Sequence, residues 1–199
     1  MRIRVFVALV LLTLIGSPAL GDRDEPIGVD NPNNSLVFGY FDMSDAPTKV
    51  KGAWLQQLSP PTDSPYWSMG VEKGLFYNTF IQPGTYQVSS FAGSGFVAGQ
   101  HEYHFPRQGR NETAVTIDEP GIYFLGAYKY VRAQKGGMFK RAKFSIERIN
   151  APTEAELLHR ILEDEMKVQK SKQYKGPRTI KIKETGWGEQ IRTRLAELE

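Results

Sequence analysis

The chain has 199 residues, 25 Lys and Arg against 22 Asp and Glu, 40% apolar residues and no cysteine. That length is enough for one good hydrophobic core. The missing cysteine excludes a disulfide framework, a thiolate metal site, a cysteine nucleophile and a lipid anchor on an N-terminal cysteine.

Met1 to Gly21 reads as a cleaved secretion signal. Arg2 and Arg4 form a basic start, Val5 to Ile15 an apolar run, and Ala19-Leu20-Gly21 a small-residue cleavage site. The run is shorter than the roughly 20 residues that span a bilayer, and no second apolar stretch of that length follows. The expected location is therefore periplasmic or secreted, with no transmembrane segment after cleavage. A cysteine-free exported domain suits a bacterial envelope. Removing the signal lowers the formal charge from +3 to +1, and what remains is unevenly spread. Residues 22–131 carry 7 basic against 12 acidic groups, and residues 132–199 carry 16 against 10.

Residues 22–34, polar and without periodicity, read as a flexible arm. Eight strands follow, at 35–42, 49–58, 75–81, 85–91, 101–105, 113–117, 121–131 and 138–149. In the second, Val50, Trp54 and Leu58 share a face, which makes Trp54 a core residue. Gln82-Pro83-Gly84 closes the third and fourth into a hairpin. The seventh, GIYFLGAYKYV, is the strongest strand signal. Period two puts Ile122, Phe124, Gly126, Tyr128 and Tyr130 on one face, and Tyr123, Leu125, Ala127, Lys129 and Val131 on the other. Both faces are largely apolar, so this strand should be covered on both sides near the centre of a sheet. Eight strands with polar turns predict a mainly β protein, an antiparallel β-sandwich over residues 35–150. Two amphipathic helices complete it over residues 151–199. The first starts at the capping box Thr153-x-x-Glu156, runs to about Gln169 and carries Leu158, Ile161, Leu162, Glu165 and Val168 as a stripe. The second is capped by Thr185, and Trp187, Ile191, Leu195 and Leu198 line its apolar face.

Pro83-Gly84-Thr85-Tyr86 and Pro120-Gly121-Ile122-Tyr123 echo one another, each a Pro-Gly turn launching a strand with an aromatic soon after. In these the chain resembles prealbumin-like and carboxypeptidase-regulatory-like β-sandwich domains of bacterial envelope proteins of unknown function. The resemblance covers Ser35 to Ile149 and implies a binding or scaffolding module, with no catalytic residue carried over.

Four stretches hold functional candidates. Pro60 to Trp67 is a proline-rich loop whose Tyr66 and Trp67 either stack on a ligand or fold back to plug the end of the sandwich. His101-Glu102-Tyr103-His104 holds the metal-capable side chains, but on a strand His101 and His104 face opposite ways, and only a loop or bulge would bring them together. Residues 91–99 are Gly-rich without a phosphate-loop or dinucleotide spacing. Residues 167–183 hold seven basic residues and no acid. There Lys170, Lys172, Lys175 and Lys181 suit an envelope protein's acidic face or an anionic envelope polymer or lipid surface. Nucleic acid is not an expected partner of an exported protein. Asn33-Asn34-Ser35 and Asn111-Glu112-Thr113 read as chance glycosylation triplets. The expected function is an exported, non-enzymatic binding or scaffolding module of the bacterial cell envelope, without a cofactor. The alternative is an exported metal-dependent protein or hydrolase using the His101–His104 cluster.

Overall fold

In the computed structural model the described residues are 34–46, 49–95, 99–105, 110–134, 143–163, 182 and 186–199. The expected signal, the arm except Asn34, and the basic connector except Ile182 lie outside them. So do Lys170, Lys172, Lys175 and Lys181, and the first helix beyond Glu163.

Among the described residues the chain is mainly β. Nine strands run in the order β1 (Ser35–Asp42), β2 (Lys49–Ser59), β3 (Tyr66–Glu72), β4 (Leu75–Ile81), β5 (Gly84–Gly95), β6 (Gly99–His104), β7 (Val115–Ile117), β8 (Ile122–Gln134) and β9 (Lys143–Ile149). They form one curled sheet in the order β6-β5-β2-β3-β4-β1-β8-β9, with β7 also on β5. The sheet is mixed, because β1 and β8 run parallel while the other pairs are antiparallel. It is therefore not the purely antiparallel sandwich that the strand count suggests.

The strand absent from the sequence reading is β3, and it makes the sheet continuous. Its first half pairs with β2, Gln56 opposite Tyr66, and its second half with β4, Glu72 opposite Leu75. Lys73 and Gly74, at φ 46° and 84°, make the two-residue turn into β4. Positive φ at both centres is the hairpin turn whose twist suits flanking strands.

The expected β4–β5 hairpin does not form. β4 lies between β3 and β1, whereas β5 pairs with β2, β6 and β7. Gln82-Pro83 thus carries the chain from one half of the curl to the other.

β8 also departs from simple alternation. Phe124 lies opposite Phe38 and Ala127 opposite Tyr40, so β8 uses one residue more than β1 over this stretch. Gly126 takes φ 109° there. A bulge of one residue exchanges the faces of everything beyond it. Ile122 and Phe124 pack on the helix side, while Tyr128 and Tyr130 point into the curl. The strand is covered on both sides as its composition requires, yet it is next to the edge strand β9, not at the centre.

Two apolar layers result. Inside the curl, Phe91 stacks on Phe41 with centroids 3.8 Å apart and meets Phe76 edge-on at 5.4 Å. Tyr103 and Tyr130 meet edge-on at 5.4 Å, joining β6 to β8 across the same core. Tyr86 and Tyr123, the aromatics of the repeated Pro-Gly motif, both pack in this layer. On the outer face, Leu36, Phe38, Leu75 and Tyr77 are covered by α1 (Glu154–Glu163) and α2 (Gly186–Leu198). The capping box forms, with Thr153 N–H donating to Glu156 Oε2 at 2.7 Å and Glu156 N–H to Thr153 Oγ1 at 3.3 Å. Leu157, Leu158 and Ile161 of α1 and Trp187, Ile191 and Leu195 of α2 are buried, while Leu198 is exposed. Among the described residues no helix is long and apolar enough to cross a membrane.

Candidate functional site

The outer face of the other half of the curl, formed by β2, β3, β5 and β6, has no helix over it among the described residues. It carries an open cleft of about 630 Å³. Residues facing away from the core build it. On β2, Ala53 and Leu55 take the inner face opposite Phe91 and Val88, which turns Trp54 and Gln56 outward. Trp54 is therefore half-buried in the cleft wall and not a core residue. Its six-membered ring lies over Gly52, where a Cβ would meet Cη2 at 3.1 Å. Glycine there gives the indole room to lie along the strand.

Tyr66 and Trp67, expected to act together, part company. Tyr66 joins the cleft and is 59% exposed. Trp67 turns the other way, packs against the inner core and donates from Nε1 to Gln57 Oε1 at 3.3 Å. Trp67 is the plug and Tyr66 is the presented ring. Tyr66 lies opposite Gln56, two positions from Trp54, so the two aromatics are diagonal neighbours on one face. Such positions are about 7–8 Å apart.

β5 supplies the floor. Leu55 pairs with Val88 and Trp54 with Ser90, so Ser89 is an extra residue in β5. The bulge places Ser89 and Ser90 on the cleft in succession. Ser89 Oγ donates to Trp54 O at 3.1 Å. Buried Ser90 donates from Oγ to Glu102 Oε1 at 2.7 Å. Glu102 Oε2 lies 3.5 Å from His104 Nε2.

The alternation expected for β6 holds for Glu102, Tyr103 and His104. Tyr103 is buried inside, while Glu102 and His104 are exposed on the cleft side. His101 pairs with Gly93 through its backbone, and its side chain is outside the described set. Among the described residues no three His, Cys, Asp or Glu side chains are grouped to hold a metal ion. The order of groups also bears on hydrolysis. A nucleophilic relay sets the imidazole between hydroxyl and carboxylate, but here the carboxylate lies between Ser90 and His104. This arrangement orients Glu102 as a hydrogen-bond acceptor.

The cleft is braced from its far side by Asn111-Glu112-Thr113. β6 pairs with β5 from Ser90 onward and β7 only up to Tyr86, leaving a gap at Val88. Side chains fill it: Val88 N–H donates to Thr113 Oγ1 at 2.7 Å, and Asn111 Nδ2 donates to Val88 O at 2.7 Å. Asn111 N–H donates to Gln87 Oε1 at 2.8 Å, fixing the amide that borders the cleft. The triplet is thus structural, a role its short spacing alone did not disclose.

A second cleft, of about 710 Å³, lies between the start of β8 and α2. Its cation, Arg194, is already bonded to Glu154 at 2.9 Å and Glu197 at 3.0 Å. The first pair fastens α2 to α1, the second lies within α2, and together they leave little charge for a ligand.

No family model, curated protein or solved structure matches the chain.

Proposed function

We propose that the protein is an exported, non-enzymatic binding module of the bacterial envelope, and that its ligand surface is the open face of β2, β3, β5 and β6. One observation carries this reading: Tyr66 and Trp54 are presented on a single face that no helix covers among the described residues, over polar side chains already held by other bonds. Pockets of roughly 300–1,000 Å³ that combine aromatics with a few fixed polar groups are the usual form of a ligand site. The carboxylate-centred order of Ser90, Glu102 and His104 favours binding over hydrolysis.

The resemblance to prealbumin-like and carboxypeptidase-regulatory-like sandwiches agrees with this role. It is supported by the matching inward tyrosines after the two Pro-Gly starts. The curl is then an elaborated sandwich whose extra strand, β3, joins its two halves. Lys170, Lys172, Lys175 and Lys181 supply a secondary, salt-sensitive attraction to anionic envelope polymer or lipid, which brings the module to the surface where the cleft engages.

A photo-crosslinking amino acid placed at position 66 tests the reading in intact cells. A discrete crosslinked species is expected from position 66 and not from position 198, an exposed site on the helical side. Equal labelling from both positions, or none from 66, contradicts it.

A further inference from the structure

We infer that the ligand of the cleft is an uncharged glycan, a step that rests on the cleft being the binding surface. A pyranose presents two kinds of surface. Its C–H face is apolar and slightly positive, which matches the negative face of an aromatic ring. Its rim of hydroxyls both donates and accepts hydrogen bonds. The cleft offers a counterpart to each. Trp54 and Tyr66 are adjacent rings on one face, and Tyr66 is well exposed to solvent without a ligand.

The polar lining is mixed in the way hydroxyls require. Gln56 carries an amide that is held from beneath by buried Gln87, Ser89 adds a hydroxyl, and Glu102 is an exposed acceptor held by Ser90. Lys and Arg are missing from the described lining, and its imidazole, His104, lies 3.5 Å from the Glu102 carboxylate, so little there repays the dehydration of a phosphate, sulfate or uronate. Glu102 would repel such groups. An acidic polymer therefore belongs to the basic segment and not to this cleft. A protein strand is also a poorer occupant, because of the three large rings in the described lining Phe105 is buried, and the two that are presented lie beside polar side chains instead of around an apolar anchor pocket. Gln87 and Glu102 are already fixed by Asn111 and Ser90, so little side-chain freedom is lost on binding.

Titration with cello-, chito- and malto-oligosaccharides, followed by calorimetry and tryptophan fluorescence, tests this, with oligogalacturonate as the acidic comparison. At least one uncharged series should bind, and Tyr66→Ala should weaken it at least about tenfold, the equivalent of about 1.4 kcal/mol. Trp54→Ala should do the same, with the melting temperature of each variant recorded. Tyr66 is an exposed side chain, so its variant keeps the test valid if Trp54→Ala does not fold. Binding of oligogalacturonate alone overturns the inference. If no glycan binds but position 66 still yields a discrete crosslink to a protein, the glycan class is wrong and the cleft reading stands. If neither occurs, both fall.

Discussion

Gly126 shows how one residue decides what a whole strand presents. Its φ of 109° is a region L side chains rarely adopt, and a Cβ would meet the Tyr128 hydroxyl at 2.9 Å. That hydroxyl donates to Leu125 O at 2.7 Å, tying the bulge to the core. Gly126→Ala is expected to cost about 1–3 kcal/mol, read as a lower urea midpoint. Thr113→Val keeps the shape but strands the Val88 N–H, and should cost about 1–3 kcal/mol in the same assay. Buried phenols make a third case. Burial, helped by the Glu72 carboxylate, pushes Tyr77 up to about 12. Burial also pushes Tyr128 up to about 12, with Arg148 opposing it and Glu112 adding to it. Both lie above the unfolded value, so the stability they confer is complete below about pH 10 and is lost as the pH climbs from about 10 to about 12. Alkaline titration should show their phenolate absorbance appearing together with loss of the far-ultraviolet strand signal. Their ionisation near pH 10 in a folded protein would contradict this.

Elements were legible where one pattern runs unbroken. β1 and β4 follow from short, nearly continuous apolar runs buried on both faces, both helices from a stripe, and the capping box placed the start of α1. β3 was missed because its outward residues include Tyr66, Ser68 and Gly70, which do not look like strand partners of a proline-rich loop. β2 misled through its ends. Lys51 and Gln57 occupy the core-side parity, and register shifts at both ends blur the period, so the outward Trp54 looked buried. β5 carried a readable sign of the cleft: Ser89-Ser90 between Val88 and Phe91, where three positions separate two inward residues. That spacing signals a bulge. Pairing between distant strands, such as β1 with β8, has no local signature at all. The helices yield their own prediction. Leu158 is fully buried against the sheet, so Leu158→Ala should cost about 2–5 kcal/mol. Leu198 is 38% exposed, and Leu198→Ala should change stability by less than about 0.5 kcal/mol. Equal small losses in thermal unfolding would mean that the helices do not depend on the sheet.

At the scale of the whole molecule, the two outer faces differ in character. The face of β1, β4 and β8 is apolar and is sealed by two helices. The face of β2, β3, β5 and β6 is polar and aromatic, and its described residues form an open cleft. The charge split along the sequence adds a basic segment, and the proposed division of labour is attraction by that segment and recognition by the cleft. The most direct measurement is retention on insoluble envelope material, with wild type, Tyr66→Ala and a Lys-to-Gln variant at 170, 172, 175 and 181 compared at low and moderate salt. Wild type and the lysine variant should be retained alike at moderate salt, where screening removes the long-range contribution, and Tyr66→Ala should be lost there, keeping at low salt only the share that the lysines supply. Retention that survives Tyr66→Ala but disappears with the four lysines would contradict the assignment of binding to the cleft.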